Sequence, residues 1–155
     1  MLRETFYISN KMSASLEYYI EHCNTYDEFE KEYSDEFLDE DVRIGNYLED
    51  LLYKYKNNQT AVSELAGLDR SYVGNIIRGV KKNPKRDVLI KICLAIGCSF
   101  EECQYLLKYA GYAPLYVRRK RDVIIWFGFM KHKSIGDIDE DLKKRGFKPL
   151  NIKKE

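Results

Sequence analysis

The sequence predicts an all-α protein. Apolar residues recur at helical spacing along most of the 155-residue chain. Glycines fall where those apolar stripes end. A segment near the C-terminus repeats its cap, stripe and stop at an offset of 35 residues, without a gap. One short strand, Thr5 to Ser9, is the only non-helical element expected.

The first helices belong to an acidic segment. Met12, Leu16, Tyr19, Ile20 and Cys23 form one stripe, with Asn10 or Ser13 as its cap. Thr25 and Glu28 have the spacing of a capping box for a second helix, which carries Tyr26, Phe29, Tyr33 and Phe37. Residues 1–50 hold 4 Lys and Arg against 14 Asp and Glu, a net of −10. Residues 51–155 hold 22 against 11, a net of +11, so the overall charge of +1 hides a strong asymmetry. Residues 1–41 are expected to form an acidic helical extension packed on the main core. The sharper reading is that this surface competes with a polyanion for the basic face, or docks a protein partner.

The middle of the chain starts with Ile44, Tyr47, Leu48, Leu51, Leu52 and Tyr55, one face of an amphipathic helix. Asn58 to Pro84 then reads as a short helix, a tight turn, a second short helix and a basic loop. Asn58 caps the first short helix, Thr60 to Ala66, on which Val62 and Ala66 share a face. Gly67 stands where the chain turns sharply, and only glycine tolerates a positive φ without steric cost. Leu68 fills the space between the helices, and Asp69 is expected to cap the second, Arg70 to Arg78, before Gly79 ends it. Val73, Ile76 and Ile77 face inward, which leaves Arg70, Ser71, Tyr72, Gly74 and Asn75 outside. Val88, Leu89, Ile92, Cys93, Ala95 and Ile96 mark a further helix. Phe100, Cys103, Leu106, Leu107 and Ala110 mark the next, with Ser99 and Glu102 as its capping box and Gly111 and Pro114 as its stop.

Over about residues 42–99 this pattern resembles the DNA-binding domain of the phage-repressor and Cro family, also called the xenobiotic-response-element family. The residues that carry the resemblance are Gln59 at the start of the first short helix, Gly67 in the turn, Arg78-Gly79, and the run Lys81-Lys82-Asn83-Pro84. Ser63 and Ile77 stand where the family often has Ala and an acidic residue. The resemblance implies a five-helix, lambda-repressor-like helix-turn-helix domain that presents one helix end to the major groove. Arg70, Ser71, Tyr72 and Asn75 are then the base-reading candidates, Arg70 suited to a guanine edge and Asn75 to an adenine edge. The resemblance gives Gln59 a phosphate and a base edge, and Thr60, Arg78, Lys81, Lys82 and Lys85 the phosphates.

The repeat organises the rest. Lys85-Arg86-Asp87-Val88 recurs as Lys120-Arg121-Asp122-Val123, Ser99 as Ser134, Gly111 as Gly146, and Pro114-Leu115 as Pro149-Leu150. The second copy predicts helices near 119–131 and 134–145, a duplicated helical hairpin stacked on the domain. The segment 123–130 is apolar nearly all round, so it must be covered, either by the chain's own helices or in a homodimer. The basic run Arg118-Arg119-Lys120-Arg121 is a solvated helix start, or a contact for DNA or an acidic partner. The domains expected are 1–41, 42–115 and 116–155.

Little points to catalysis. His22 and His132 have no third group to complete a nucleophile site, and no phosphate-binding glycine loop is present. Cys23, Cys93, Cys98 and Cys103 form no Cys-x-x-Cys pair, so neither metal nor cofactor is expected. No apolar run approaches the roughly 20 residues a membrane span needs, and the N-terminus lacks a signal-peptide layout, so a cytoplasmic location is expected. The reading that results is a sequence-specific double-stranded DNA-binding regulator of repressor type, not an enzyme. The alternatives are a protein-interaction adaptor and an antitoxin-like regulator built on the same fold.

Overall fold

Short amphipathic helices build the architecture of the described residues, and Thr25, Asn58, Ser99 and Ser134 cap four of them. The computed structural model describes residues 13–37 and 44–151, which fall in two units, 1–42 and 43–155. The strand expected at Thr5 to Ser9 and the stripe position Met12 lie outside the described residues. Among the described residues all regular structure is helical.

In the first unit, α1 spans Ser13–His22 and α2 spans Tyr26–Tyr33, followed by a 3-10 turn, Ser34–Glu36. Thr25 Oγ1 accepts the Glu28 N–H at 3.2 Å, as the capping pattern predicts. The Glu28 carboxylate accepts from Asn24 N–H, one residue before the position a full capping box would use. Aromatic rings join the two helices, Tyr19 of α1 stacking on Tyr33 of α2 at 5.0 Å, and within α2 Phe29 lies 5.0 Å from Tyr33. Phe29 is buried, but Ile20, Tyr26 and Phe37, read from the sequence as inward-facing, are exposed. Two helices of this length have too little shared surface to cover a full stripe.

In the second unit, α3 is Ile44–Lys54, α4 Gln59–Leu65, α5 Tyr72–Ile77, α6 Arg86–Ile96, α7 Phe100–Tyr109, α8 Lys120–Met130 and α9 Ile135–Lys144. The core is drawn from α3 (Tyr47, Leu48, Leu51), α4 (Val62), α5 (Val73, Ile76), α6 (Leu89, Ile90, Ile92) and α7 (Leu106, Leu107). Glu102 is fully buried at the start of α7. Its carboxylate caps α7 by accepting Ser99 N–H at 2.8 Å, and it also receives Lys54 Nζ at 2.9 Å and the Tyr55 hydroxyl. Burial and this contact push the Tyr55 phenol up to about 12. One acid thereby ties the end of α3 to the start of α7.

The two copies of the repeat form matching hairpins, α6–α7 and α8–α9. Ser99 caps α7 through Glu102 N–H, and Ser134 caps α9 through Asp137 N–H. After each hairpin the Pro-Leu segment is latched by a side chain at the same register. Gln104 Oε1 accepts Leu115 N–H at 2.7 Å, and Asp139 Oδ1 accepts Leu150 N–H at 2.6 Å. Reciprocal ion pairs join the copies. Arg86 of the first reaches Asp122 of the second, and Arg121 of the second reaches Asp87 of the first, at 3.1 and 2.9 Å. Each arginine also closes its own hairpin, Arg86 on the Ala113 carbonyl and Arg121 on the Lys148 carbonyl. Such exchange of identical contacts marks a local pseudo-two-fold arrangement.

Candidate nucleic-acid interface

The site grows from the turn between α4 and α5. Asn58 Oδ1 accepts Ala61 N–H at 2.8 Å and starts α4 at Gln59, one residue before the sequence places it. Gly67 takes φ +71°, the left-handed conformation the turn requires. Leu68 is half-buried beneath it. The expected cap at Asp69 is corrected: the turn uses two more residues, and α5 begins at Tyr72 without a side-chain cap. The Asp69 backbone carbonyl accepts Tyr72 N–H instead. Arg70 and Ser71 therefore stand on the turn that enters α5, and both are exposed.

Two contacts fix the pose of α5. Ser63, where the family often has Ala, is fully buried. Its hydroxyl donates to the Gln59 carbonyl at 2.8 Å and accepts Val73 N–H at 3.1 Å, so it joins α4 to the first turn of α5. On the other side, a Cβ at Gly45 would lie 2.5 Å from the Ile76 carbonyl oxygen and 2.8 Å from Ile77 Cα. Only glycine lets α3 come so close to the α5 backbone, and Ile77 is half-buried at this crossing.

Gly74, expected outside, is buried, which is a second correction. A Cβ there would meet Gln59 Oε1 at 2.7 Å and Arg78 Nη1 at 3.0 Å. The missing side chain leaves space for these two groups to close over the helix. Arg78 Nη2 also donates to Asn75 Oδ1 at 2.6 Å. Gln59 of α4 thus gathers with Asn75 of α5 and Arg78 at its end into one polar cluster.

The other predicted residues lie on the first turn of α4, at the entry to α5 and in the loop before α6. Arg70 Nε lies 3.3 Å from Glu64 Oε1, an exposed pair worth about 0–1 kcal/mol and easily given up. Tyr72 is half-buried, its phenol raised by burial, and the Lys81 ammonium sits 5.4 Å from its ring centroid. Thr60, Lys81, Lys82 and Lys85 are exposed. The basic loop is pinned at both ends. The Asn75 carbonyl accepts Val80 and Lys81 N–H, and the Pro84 carbonyl accepts the Tyr112 hydroxyl at 2.8 Å. Ser63 and Glu64 are the residues sequence reasoning missed. A serine on an otherwise apolar face was the available signal for Ser63, whereas Glu64 meets Arg70 only because of the turn.

Residues 50–103 match the helix-turn-helix family. The fold, all-helical among the described residues, carries a helix-turn-helix domain of the Cro/C1 type, the domain of DNA-binding regulators. No curated protein and no solved structure matches the chain. No helix among the described residues is long and apolar enough to cross a membrane. Outside the interface, Cys93, Cys98 and Cys103 are buried together. Contact with Cys103 and burial raise the Cys93 thiol, and contact with Cys93 and burial raise that of Cys98, which makes both poor nucleophiles.

Proposed function

We propose that the chain is a sequence-specific double-stranded DNA-binding repressor that occludes its site by occupancy. One observation carries the reading: a polar cluster, Arg78 exposed and Gln59 and Asn75 half-buried, gathered at a short helix whose pose is locked by Ser63 and Gly45. In this reading Arg70, Ser71, Tyr72, Asn75 and Gln59 meet base edges, and Thr60, Arg78, Lys81, Lys82 and Lys85 hold phosphates. Arg70 leaves Glu64 for a guanine edge, and Asn75 exchanges Arg78 for an adenine edge. Residues 1–41 are an acidic extension, 42–115 the reading domain and 116–155 a second hairpin that supports it.

Selection of bound sites from random-sequence duplexes, followed by gel shifts over a range of salt, tests the proposal. An enriched site and a steep fall of affinity with salt are expected. Arg70→Ala should cost about 1–3 kcal/mol at one base pair, whereas Lys82→Ala should weaken all sequences alike and flatten the salt slope. An Arg70→Ala protein with unaltered preference refutes that residue's assignment. A flat salt response with no enriched site refutes the function.

A further inference from the structure

The repeat allows each face of α8 to be compared with its counterpart on α6. On α6, Leu89, Ile92 and Ala95 are 0%, 0% and 6% exposed, and α4 packs against that helix. Their counterparts on α8 lie at the same register: Ile124 is half-buried, Phe127 is 56% exposed and Met130 57% exposed. Among the described residues of the second unit, α8 packs chiefly on α7 and α9 and has no comparably packed counterpart of α4.

At two positions away from this face the second hairpin is polar where the first is buried. Cys98 and Leu106 are buried, and their counterparts Lys133 and Asp141 form an ion pair at 2.6 Å on the surface. Phe127 and Met130, by contrast, stay apolar at exposed positions and are larger than Ile92 and Ala95 in the first copy. The N-terminal end of this face opens into a cavity of about 490 Å³. It is lined by Val117, Val123, Ile124 and Phe147 together with Arg118, Lys120 and Arg145. No acid lines it, and Arg145 spends one N–H on the Asp141 backbone carbonyl. The first-copy counterparts of Arg118 and Arg145 are Asn83 and Ala110, so the excess of positive charge belongs to the second copy.

We propose that the face of α8 running from Lys120 to Met130 docks a short amphipathic helix of a partner protein, one with an apolar stripe flanked by carboxylates. The occupant is a helix because α6, the counterpart of α8, has α4 packed against it in the first copy. It is acidic because every charged group lining the cavity is cationic. It is a protein and not a nucleic acid backbone because phosphates would leave Phe127 and Met130 uncovered.

The full chain can be titrated with a designed peptide of roughly 15 residues, Leu at i, i+3, i+4 and i+7 and Glu elsewhere, the helix-in-groove pattern. Trp126, the only tryptophan, stacks on Phe100 at 4.0 Å and neighbours Phe127, so its emission reports the face. Saturable binding is expected, with amide shifts concentrated on α8. A peptide with Lys for Glu, and one with Gln for Leu, should each bind at least roughly tenfold more weakly. Phe127→Asp and the double variant Arg118→Glu, Arg145→Glu should lose a similar factor, with an unchanged circular dichroism spectrum and, for Phe127→Asp, unchanged affinity for the selected DNA site. Equal binding of the Gln peptide would reduce the face to a charge patch and overturn the proposal. So would the absence of α8 shifts at millimolar peptide. Sedimentation of the chain alone as a dimer that Phe127→Asp dissolves would hand the face to a second copy.

Discussion

The hairpins α6–α7 and α8–α9 share caps, stops, latches and cross-pairs, yet one lies within the helix-turn-helix core and the other at its edge. What they share is set by local sequence: a serine cap, a left-handed glycine at 111 or 146, and a side chain holding the Pro-Leu segment. What differs is set by neighbours. At the crossing of the paired helices the first hairpin packs Cys93 on Cys103, and the second packs Gly128 on Ile138, a small residue against a large one. The latch changes from an amide to a carboxylate that also accepts Asn151 N–H. The lesson is that a duplicated hairpin keeps its backbone devices and rewrites its faces according to what covers them.

The cross-pairs test that account most strongly. Asp122 is nearly fully buried, accepts both terminal nitrogens of Arg86 and also takes Tyr116 N–H. Asp87, its repeat counterpart, is about a quarter exposed and accepts both terminal nitrogens of Arg121. Urea unfolding should show Asp122→Ala costing about 3 kcal/mol, because it strands a half-buried guanidinium, and Asp87→Ala about 1 kcal/mol. Equal costs would mean that the two hairpins are held symmetrically, despite their different burial.

Next in size is the helix crossing. A Cβ at Gly128 would lie 2.3 Å from Ile138 Cδ1 and 2.5 Å from its Cγ1, in a side chain with no exposed surface. Gly128→Ala should therefore cost about 2 kcal/mol by overpacking. The counterpart change in the first hairpin, Cys93→Ala, should cost about 1 kcal/mol by leaving a small void. Thermal melts of the two variants check the order, and its reversal would show that the second crossing is the looser one.

The smallest effect is expected at Asp141. Lys133 beside it holds its carboxyl below the ordinary carboxylate value. A folded pKa below the unfolded one contributes stability above the unfolded value, and that contribution fades as pH falls through the folded one. Asp141→Asn should leave the melting midpoint at neutral pH within error and slightly flatten its fall between pH about 4 and lower values. A clear drop at pH 7 would make this surface pair a structural one.

The sequence revealed much of the fold, because caps, glycine stops and stripes are local signals. Asn58, Ser99 and Ser134 cap the helices they were expected to cap, and the repeat foretold α8 and α9 within a residue or two. The failures involve partners brought together by the fold. Asp69 looked like a cap because acids favour that position, but the tight turn moved the helix start to Tyr72. Gly74 looked exposed on a helical wheel, which cannot show that Gln59 and Arg78 fold over it. The repeat showed likeness between Arg86 and Arg121 without showing that each would seek the other copy's aspartate. In the acidic unit, periodicity marked Ile20 as inward, yet it is exposed.

Asn151 links the far end of the second hairpin to the reading turn. Its side-chain oxygen accepts the buried Lys91 ammonium at 3.0 Å and lies 2.9 Å from where a Cβ of Gly67 would be. A dye or fusion attached at this position would press on the hinge of the helix pair, so labelling strategies that treat residue 151 as an inert handle would perturb the very element they set out to monitor.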